Sequence, residues 1–348
     1  MILPILDSAV SPAPASNLAR GTHTLVDAFD RPIGYLRLSV TKACSMTCIY
    51  CRPQTLDNPR GQLLLSVDEI GAIVDHLAVR HGLHKIRITG GEPTTRADIT
   101  QILQRSACAP GLDDVAMTTN GLTLARRAAE YAAAGLKRVN ISIDSLDSGK
   151  FENITGVDEL PRVLDGIDAA IEAGLKPIKL NTVVVRGFND GEDMRALLDF
   201  AAGRRLELRF IELMPMGPLA EKWNERFVPE AQMRRAIEPM IAGWTAMEQG
   251  VDAARRYTVE LHGGRRAVIG FITPMSCNFC ANCNRIRIAA DGSWYPCLMD
   301  RPADICLLAA IRPRFDADQF DAILRQGLGG KAREHPAAGP GVMTHIGG

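Results

Sequence analysis

The run KACSMTCIYCRP at 42–53 carries three cysteines, Cys44, Cys48 and Cys51, at C-x3-C-x2-C spacing, directly after the strand-like run YLRLSV at 35–40. Three thiolates from one short loop can hold three corners of a 4Fe-4S cluster, which leaves the fourth iron without a protein ligand. A zinc loop or a disulfide framework fits the spacing less well, because zinc loops usually use C-x2-C pairs and disulfide frameworks belong to short secreted chains. The spacing therefore predicts an iron–sulfur site whose open iron can bind a second molecule. We count the three cysteines as both metal-binding and catalytic residues.

Composition narrows the class of protein. The chain has 348 residues with 40 Lys+Arg and 40 Asp+Glu, so its formal net charge is zero. No global field attracts nucleic acid or an anionic membrane, and no apolar run reaches the roughly 20 residues needed to cross a bilayer. Nine cysteines, most of them in two groups, fit metal chemistry in a reducing compartment better than disulfide pairing. We expect a cytoplasmic enzyme that binds neither nucleic acid nor membranes.

Strands and helices are predicted to alternate through the first 250 residues. The predicted strands cover 35–40, 85–89, 114–119, 137–143, 178–185 and 207–213, and the predicted helices cover 66–81, 97–107, 123–134, 160–173, 192–202 and 229–242. Six strands separated by helices require right-handed crossovers, which give a parallel sheet that curls into a barrel or part of one. We therefore expect an α/β protein with an incomplete (βα)6 parallel barrel at 31–250, a flexible arm at 1–30 and a separate C-terminal module at 251–348.

Polar or glycine-rich motifs follow five of the predicted strands. The cysteine loop follows the first strand, and the others are GGEPTTR at 90–96, TTNG at 118–121, SIDS at 142–145 and ELMPMG at 212–217. Parallel strands share one carboxyl end, which is the face where α/β barrels keep their active sites. These motifs are therefore predicted to meet at one rim.

The cysteine loop and the GGEP motif at 90–93 together resemble the radical S-adenosylmethionine enzymes. The resemblance implies a partial barrel of the radical S-adenosylmethionine type and a 4Fe-4S cluster whose open iron chelates S-adenosylmethionine. Electron transfer from that cluster then gives a 5'-deoxyadenosyl radical. The implied cofactor contacts are Tyr50, Gly91, Glu92, Ser142 and Met214. Without the resemblance, GGEP would be no more than a tight turn, although glycine does let the backbone approach a ligand closely.

A second cysteine group lies in FCANCNRIRIAADGSWYPC at 279–297. Cys280, Cys283 and Cys297 have C-x2-C-x13-C spacing, so they again offer three thiolates. The run RIRI alternates with the period of a strand, which places Arg285 and Arg287 on one face beside the cysteines. Two guanidiniums beside a metal cluster favour a site for an anion and a purine.

Taken together, these features are similar to the radical S-adenosylmethionine enzymes that cyclise GTP in molybdenum cofactor biosynthesis. The resemblance implies a second 4Fe-4S cluster on Cys280, Cys283 and Cys297, abstraction of the 3' hydrogen of GTP, and attack of the ribose carbon on C8 of guanine. The implied GTP contacts are Arg37, Lys85, Arg87, Thr118, Lys179, Arg209, Arg285, Arg287, Gly347 and Gly348, and Arg37 is also counted as catalytic. The implied partners are an external one-electron reductant, a downstream cyclic pyranopterin monophosphate synthase, and a second copy of the chain in a homodimer.

Three alternatives stay open on the sequence alone. Cys277 could supply a fourth sulfur to the second cysteine group and close a structural zinc site. The chain could be a different two-cluster radical enzyme, for example one that modifies peptides, although such an enzyme would carry more than three auxiliary cysteines. It could also be a non-enzymatic metal-binding or electron-carrying protein, which would not need polar motifs at the rim or arginines on strands.

Overall fold

The computed structural model describes residues 24–52, 63–300, 306–337, 339 and 343. Most of the predicted arm and both terminal glycines, Gly347 and Gly348, lie outside the described residues. The end of the predicted arm is packed, because Leu25 is buried in the main core and its carbonyl accepts a 2.8 Å hydrogen bond from the Ile33 amide. Residues 24–30 are therefore part of the described fold.

Eleven strands form one sheet in the described part of the chain. In chain order they are β1 (Tyr35–Ser39), β2 (Lys85–Thr89), β3 (Asp114–Thr119), β4 (Arg138–Ser142), β5 (Lys179–Val184), β6 (Glu207–Glu212), β7 (Ile241–Ala246), β8 (Ala254–Leu261), β9 (Arg266–Ile272), β10 (Arg285–Ile288) and β11 (Trp294–Tyr295). Strands β1 to β6 pair in parallel in sequence order. This arrangement confirms the predicted α/β fold with a parallel sheet that does not close into a full barrel.

The described part of the chain contains ten α-helices. They are α1 (Val67–His81), α2 (Ile99–Ala107), α3 (Leu124–Ala133), α4 (Ser148–Thr155), α5 (Leu160–Glu172), α6 (Glu192–Arg204), α7 (Trp223–Arg226), α8 (Glu230–Ile237), α9 (Leu308–Ile311) and α10 (Ala317–Gly329). Of these, α1 to α6 connect the parallel strands β1 to β6. The first of them has the capping box that its sequence predicts, since the Ser66 hydroxyl accepts from Glu69 N and the Glu69 carboxylate accepts from Ser66 N. None of the described helices is long and apolar enough to span a membrane.

The predicted helix at 229–242 is wrong in its last third. The α-helix α8 ends at Ile237, a short 3-10 turn covers Glu238–Met240, and β7 begins at Ile241. Pro239 lies in that turn and lacks the amide hydrogen that a continuing α-helix needs. The change from helix to strand therefore occurs at the proline.

The strands after residue 250 extend the barrel sheet at both edges. Strand β9 pairs in parallel with β6, and β10 pairs in parallel with β1, with Arg37 opposite Arg287. The antiparallel strands β8 and β7 continue beyond β9, and β11 continues beyond β10. The C-terminal strands thus share the sheet of the barrel, and the division of the chain near residue 250 stays a prediction. The pairing brings RIRI beside the strand that leads into the first cysteine loop.

Candidate active site

The first cysteine loop follows β1 and is fixed by α4, a helix that the sequence patterning missed. The amides of Thr47 and Ile49 donate hydrogen bonds of 2.8 and 2.9 Å to carbonyls in the last turn of that helix. These backbone bonds replace the regular pairing that a loop lacks. The loop therefore presents three half-buried free thiols, Cys44, Cys48 and Cys51.

Two glycines let neighbouring motifs pack directly on this loop. A β-carbon at Gly91 would overlap the carbonyl oxygen of Ala43, and the Glu92 amide donates a 2.7 Å hydrogen bond to that same oxygen. Gly217 has φ of 68°, and a β-carbon there would lie 2.7 Å from the carbonyl oxygen of Tyr50. Only glycine permits both approaches. The GGEP and ELMPMG motifs are thus joined to opposite ends of the cysteine loop.

Glu92 connects motifs within the protein. One carboxylate oxygen accepts hydrogen bonds from the amide and hydroxyl of Thr94 (3.0 and 2.7 Å) and from the Thr119 hydroxyl (2.8 Å). The other accepts from the Asn120 amide at 2.7 Å. Burial raises the pKa of Glu92, whereas these hydrogen bonds favour its charged form. Glu92 therefore holds GGEP against TTNG, and its direct contact with a cofactor stays a prediction.

Tyr50 is buried and tied to Asp144, a residue of the SIDS motif that the list of predicted contacts did not include. The Tyr50 hydroxyl donates to Asp144 Oδ2 at 2.7 Å, and the Val183 amide donates to Oδ1 at 2.9 Å. Burial raises the pKa of Asp144 to about 6, so its carboxylate is mostly ionised at neutral pH. The predicted Ser142 lies two residues earlier, at the end of β4 and half-buried. The SIDS motif thus adds a negative charge beside the first cysteines.

The first three thiols lie close enough to affect one another. Burial raises the pKa of Cys44 to about 11. Burial, followed by the negative charges of Asp144, Cys51 and Cys44, raises the pKa of Cys48 well above its usual value. Three mutually repelling, desolvated thiolates need a positively charged metal group to stabilise them. This donor set fits a cluster bound through three corners.

The second cysteine group faces a cavity of about 200 Å³. Cys280, Cys283 and Cys297 line it, whereas Cys277 is exposed and its sulfur accepts a 2.6 Å hydrogen bond from Arg255. Burial raises the pKa of the Cys280 thiol, and the negative charges of Cys297 and Cys283 raise it further. The second set of facing thiols is therefore also a set of three.

A closed zinc site is disfavoured by the spacing of the sulfurs. Four thiolates around one zinc ion lie about 3.8 Å apart. Within the described residues, three or more His, Cys, Asp or Glu donors lie within 4.8 Å of one another at one place, formed by His76, His81 and Asp321. The cysteines of the second group do not meet this spacing. A 4Fe-4S cluster spaces its ligands more widely, because each thiolate binds a different iron. The arrangement suits a cluster better than a single ion.

Positive charge surrounds Cys283. Burial raises the pKa of its thiol, but Lys331 and Arg285 together lower it below the usual value. The Lys331 ammonium is 3.7 Å from the sulfur and donates to the Arg285 carbonyl at 2.8 Å. Arg31 donates to the Cys280 carbonyl at 2.7 Å. The second cysteine group is therefore stabilised by cations supplied from both ends of the chain.

The cavity collects most of the predicted substrate contacts. Its lining includes Arg37, Arg87, Thr118, Arg209, Arg285 and Arg287, together with Met214, a predicted cofactor contact. Buried polar atoms on three adjacent strands have no hydrogen-bond partner within the described residues, namely Asn140 Oδ1, Asn181 Oδ1 and Arg209 Nη2. Because buried polar groups are nearly always paired, these atoms indicate a polar ligand in the cavity. The guanidiniums indicate that this ligand is an anion.

Two predicted contacts lie beside the cavity rather than in its lining. Lys179 is buried, 3.8 Å from Glu207, and burial together with the charge of Arg209 lowers the pKa of Lys179 to about 7. Lys85 is 3.5 Å from Asp252. The predicted Gly347 and Gly348 cannot be compared, since they lie outside the described residues.

Sequence reasoning missed five polar residues of the cavity lining: Tyr35, Asn140, Asn181, Asp252 and His335. The sequence did contain a signal for the two asparagines. Asn140 lies two residues before Ser142 and Asn181 two residues after Lys179, so each shares a strand face with a predicted contact. Asp252 had none, since it lies between strands in an irregular segment. Its position is fixed by the pairing of β7 with β8.

Comparisons with known proteins agree with this geometry. Residues 38–201 match the family model described as Radical SAM superfamily, and residues 206–337 match Molybdenum Cofactor Synthesis C. The chain is 39% identical over 313 residues to a GTP 3',8-cyclase of Pelotomaculum thermopropionicum, covering 89% of this chain and 94% of that one. It is 40% identical over 316 residues to a GTP 3',8-cyclase of Ectopseudomonas mendocina, covering 90% and 94%.

A solved structure shares the fold. Streptococcus suis SuiB bound to its precursor peptide SuiA superposes with a TM-score of 0.58 at 15% identity, over 88% of this chain and 68% of that chain. At this identity the likeness concerns the fold alone.

Proposed function

Because the chain belongs to the GTP 3',8-cyclase family of radical S-adenosylmethionine enzymes, we infer that it converts GTP to 3',8-cyclo-7,8-dihydro-GTP, the first step of molybdenum cofactor biosynthesis. The observation that carries this inference is the cavity between the sheet and Cys280, Cys283 and Cys297, which is lined by guanidiniums and by unpaired polar atoms on β4, β5 and β6. A nucleoside triphosphate could satisfy both kinds of group. Its phosphates carry negative charge for the guanidiniums, and its base edge offers hydrogen bonds to the polar atoms.

The first three cysteines hold the cluster that acts on S-adenosylmethionine. When bound, this cluster supplies the electron that splits the cofactor's sulfur–carbon bond and generates the 5'-deoxyadenosyl radical. Tyr50 lies within this loop, and the hydrogen bond that its hydroxyl donates to the Asp144 carboxylate holds its ring in place. Glu92 keeps GGEP in place behind the loop. Gly91, Ser142 and Met214 complete the proposed cofactor contacts.

Cys280, Cys283 and Cys297 would hold the second cluster, which would supply a binding site for the guanine. Arg285 and Arg287 lie on β10 beside these cysteines and next to β1, which carries Arg37. The proposed phosphate contacts continue along the starts of the strands, through Lys85, Arg87, Lys179 and Arg209. Binding therefore orients GTP with its base at the second cluster and its phosphates at the amino ends of the strands. Thr118, Gly347 and Gly348 are further proposed contacts.

Peptide modification is a weaker proposal for this chain. The auxiliary cysteine group has three members that face the cavity, and the lining includes five arginines suited to phosphate. We further propose, on the family resemblance, a cytoplasmic homodimer that receives electrons from an external reductant and passes its product to a cyclic pyranopterin monophosphate synthase.

Anaerobic reconstitution followed by addition of GTP, S-adenosylmethionine and a reductant tests the proposal. We expect 5'-deoxyadenosine and the cyclised nucleotide in equal amounts, and neither product from a Cys51→Ala control. Cleavage of S-adenosylmethionine with unchanged GTP would contradict the proposed substrate.

A further inference from the structure

Tyr35 lies in the middle of the cationic wall of the cavity, although no part of the proposed mechanism uses it. It is a buried residue at the start of β1, and it lines the cavity. Its strand neighbours are Lys85 on β2 and Arg285 on β10. A cationic residue therefore lies opposite Tyr35 on each of the two neighbouring strands.

The contacts of Tyr35 give its oxygen the role of an acceptor. Arg87 Nε donates to Tyr35 Oη at 2.6 Å, and a guanidinium has donors only. The Lys85 ammonium lies 4.8 Å from the centre of the ring, and Arg87 Cζ lies 5.9 Å from it. These contacts favour negative charge on the phenol oxygen.

Charged side chains on the neighbouring strands and in the segment between β7 and β8 act on Tyr35 or on the cations beside it. The cations are Arg37 on β1, Lys85 and Arg87 on β2, Arg138 on β4, and Arg285 and Arg287 on β10. The carboxylates are Asp114 on β3, which Arg138 pairs at 2.7 Å, and Asp252 between β7 and β8, which is 3.5 Å from Lys85. Among the described residues, six cations thus face two carboxylates, and the Cys283 and Cys297 thiols beside Arg287 offset only part of this positive surplus.

This surplus makes the phenol acidic. Burial raises the pKa of Tyr35, but Arg87, Arg37 and Lys85 outweigh burial and lower the pKa to about 7. A bound triphosphate would neutralise the same cations while leaving the ring buried. The pKa of Tyr35 would then rise above neutrality, because only the effect of burial would remain.

We propose that Tyr35 is an exchangeable counter-ion of the phosphate-binding wall, ionised when the cavity holds no nucleotide and taking up one proton from solvent when a polyphosphate binds. The inference rests on the proposed function for the identity of the ligand. Tyr35 is a positioning residue, since its charge keeps mutually repelling guanidiniums in place until the phosphates replace it. Linkage requires that binding become weaker as the pH rises above about 7, by up to tenfold per pH unit.

Difference absorbance of tyrosinate in the reconstituted enzyme tests the proposal directly. Between about pH 6 and about pH 9, where ordinary tyrosines stay protonated, we expect one tyrosinate per chain to form. The signal should be absent in Tyr35→Phe and retained in Tyr131→Phe, a matched control because Tyr131 is buried on α3 and its pKa is raised. Subtraction of the Tyr35→Phe spectrum removes the absorbance of the clusters.

Inorganic triphosphate is the probe for proton uptake. At about pH 8 it should abolish the tyrosinate signal, and the wild type should take up about one proton per chain more than Tyr35→Phe does, because Lys179 can take up a proton in both proteins. A wild-type protein without tyrosinate below about pH 9, or a signal that persists in Tyr35→Phe, would overturn the inference. If the signal appears but GTP is not cyclised, the proposed function alone fails; if GTP is cyclised without the signal, the inference alone fails.

Discussion

The two cysteine groups have the same number of facing thiols but opposite electrostatic surroundings. Burial raises the pKa values of Cys44 and Cys48, and a buried carboxylate raises each further, Glu92 for Cys44 and Asp144 for Cys48, with Arg52 as the cation near Cys44. Around the second group, Lys331 and Arg285 lower the pKa of Cys283. S-adenosylmethionine carries a net positive charge and GTP several negative ones, so each ligand matches one group. Charge, rather than cysteine count, is therefore the feature on which we base the proposed division between a cluster that cleaves and a cluster that binds.

Removal of a first-group thiol is expected to have the largest effect. Cys48→Ala should reduce formation of 5'-deoxyadenosine and of the cyclised nucleotide by more than about a thousandfold, because no open iron remains to bind the cofactor. Binding of GTP should change by less than about threefold. Product analysis with an iron assay checks this, since iron should fall from about eight to about four per chain. Equal loss of GTP binding would contradict the separation of the two groups.

Removal of a second-group thiol should separate the two reactions. In Cys283→Ala we expect the cyclised nucleotide to disappear, while reductive cleavage of S-adenosylmethionine stays within about tenfold of wild type. The reason is that the substrate loses its base site but the first cluster is unchanged. Measuring both products in the same reaction gives the ratio directly. If cleavage stops as well, the second cluster is not confined to substrate binding.

Changing a cation beside the cavity should weaken GTP binding moderately. Lys179 has a pKa of about 7, lowered by burial and by Arg209, so it is charged and can hold phosphate below that pH and is neutral above it. Lys179→Met should therefore weaken GTP binding by about tenfold below pH 7 and by progressively less above it. Calorimetry at several pH values measures this. Lys150→Met, at a half-exposed surface lysine paired with Asp193, is the matched control and should bind normally.

The smallest effect is expected at the extra cysteine. Cys277→Ser should leave iron content and product formation within about twofold of wild type, because its sulfur is exposed and contacts Arg255 rather than the cavity. Replacement of Cys280 by serine is the contrasting variant and should lose about four irons per chain. Loss of metal in Cys277→Ser would restore the zinc alternative.

Local sequence patterns predicted the parts of the fold that depend on local interactions. The capping box at Ser66 and the alternation of RIRI both form as expected, since each needs only neighbouring residues. Local patterns could not predict which strands pair across the sheet. Nothing in the sequence near β10 or β9 indicates that β10 lies beside β1 or that β9 lies beside β6.

The same limit applies to the site. The cysteines and arginines stand out by spacing and charge, whereas Tyr35 and Asp252 gain their roles only from partners far away in the chain. Glu92 was expected to contact the cofactor, but its carboxylate is surrounded by Thr94, Thr119 and Asn120. The sequence alone therefore does not show whether a buried carboxylate in a turn motif contacts a ligand or accepts hydrogen bonds from other residues of the protein.

Electron paramagnetic resonance of two reduced variants tests the central claim most directly. One variant keeps only the first cysteine group and carries Cys280, Cys283 and Cys297 as alanines; the other keeps only the second and carries Cys44, Cys48 and Cys51 as alanines. We predict that S-adenosylmethionine changes the spectrum of the first variant alone and that GTP changes the spectrum of the second alone. A change in the second variant's spectrum on adding S-adenosylmethionine, or in the first variant's on adding GTP, would contradict the assignment of the two groups by charge.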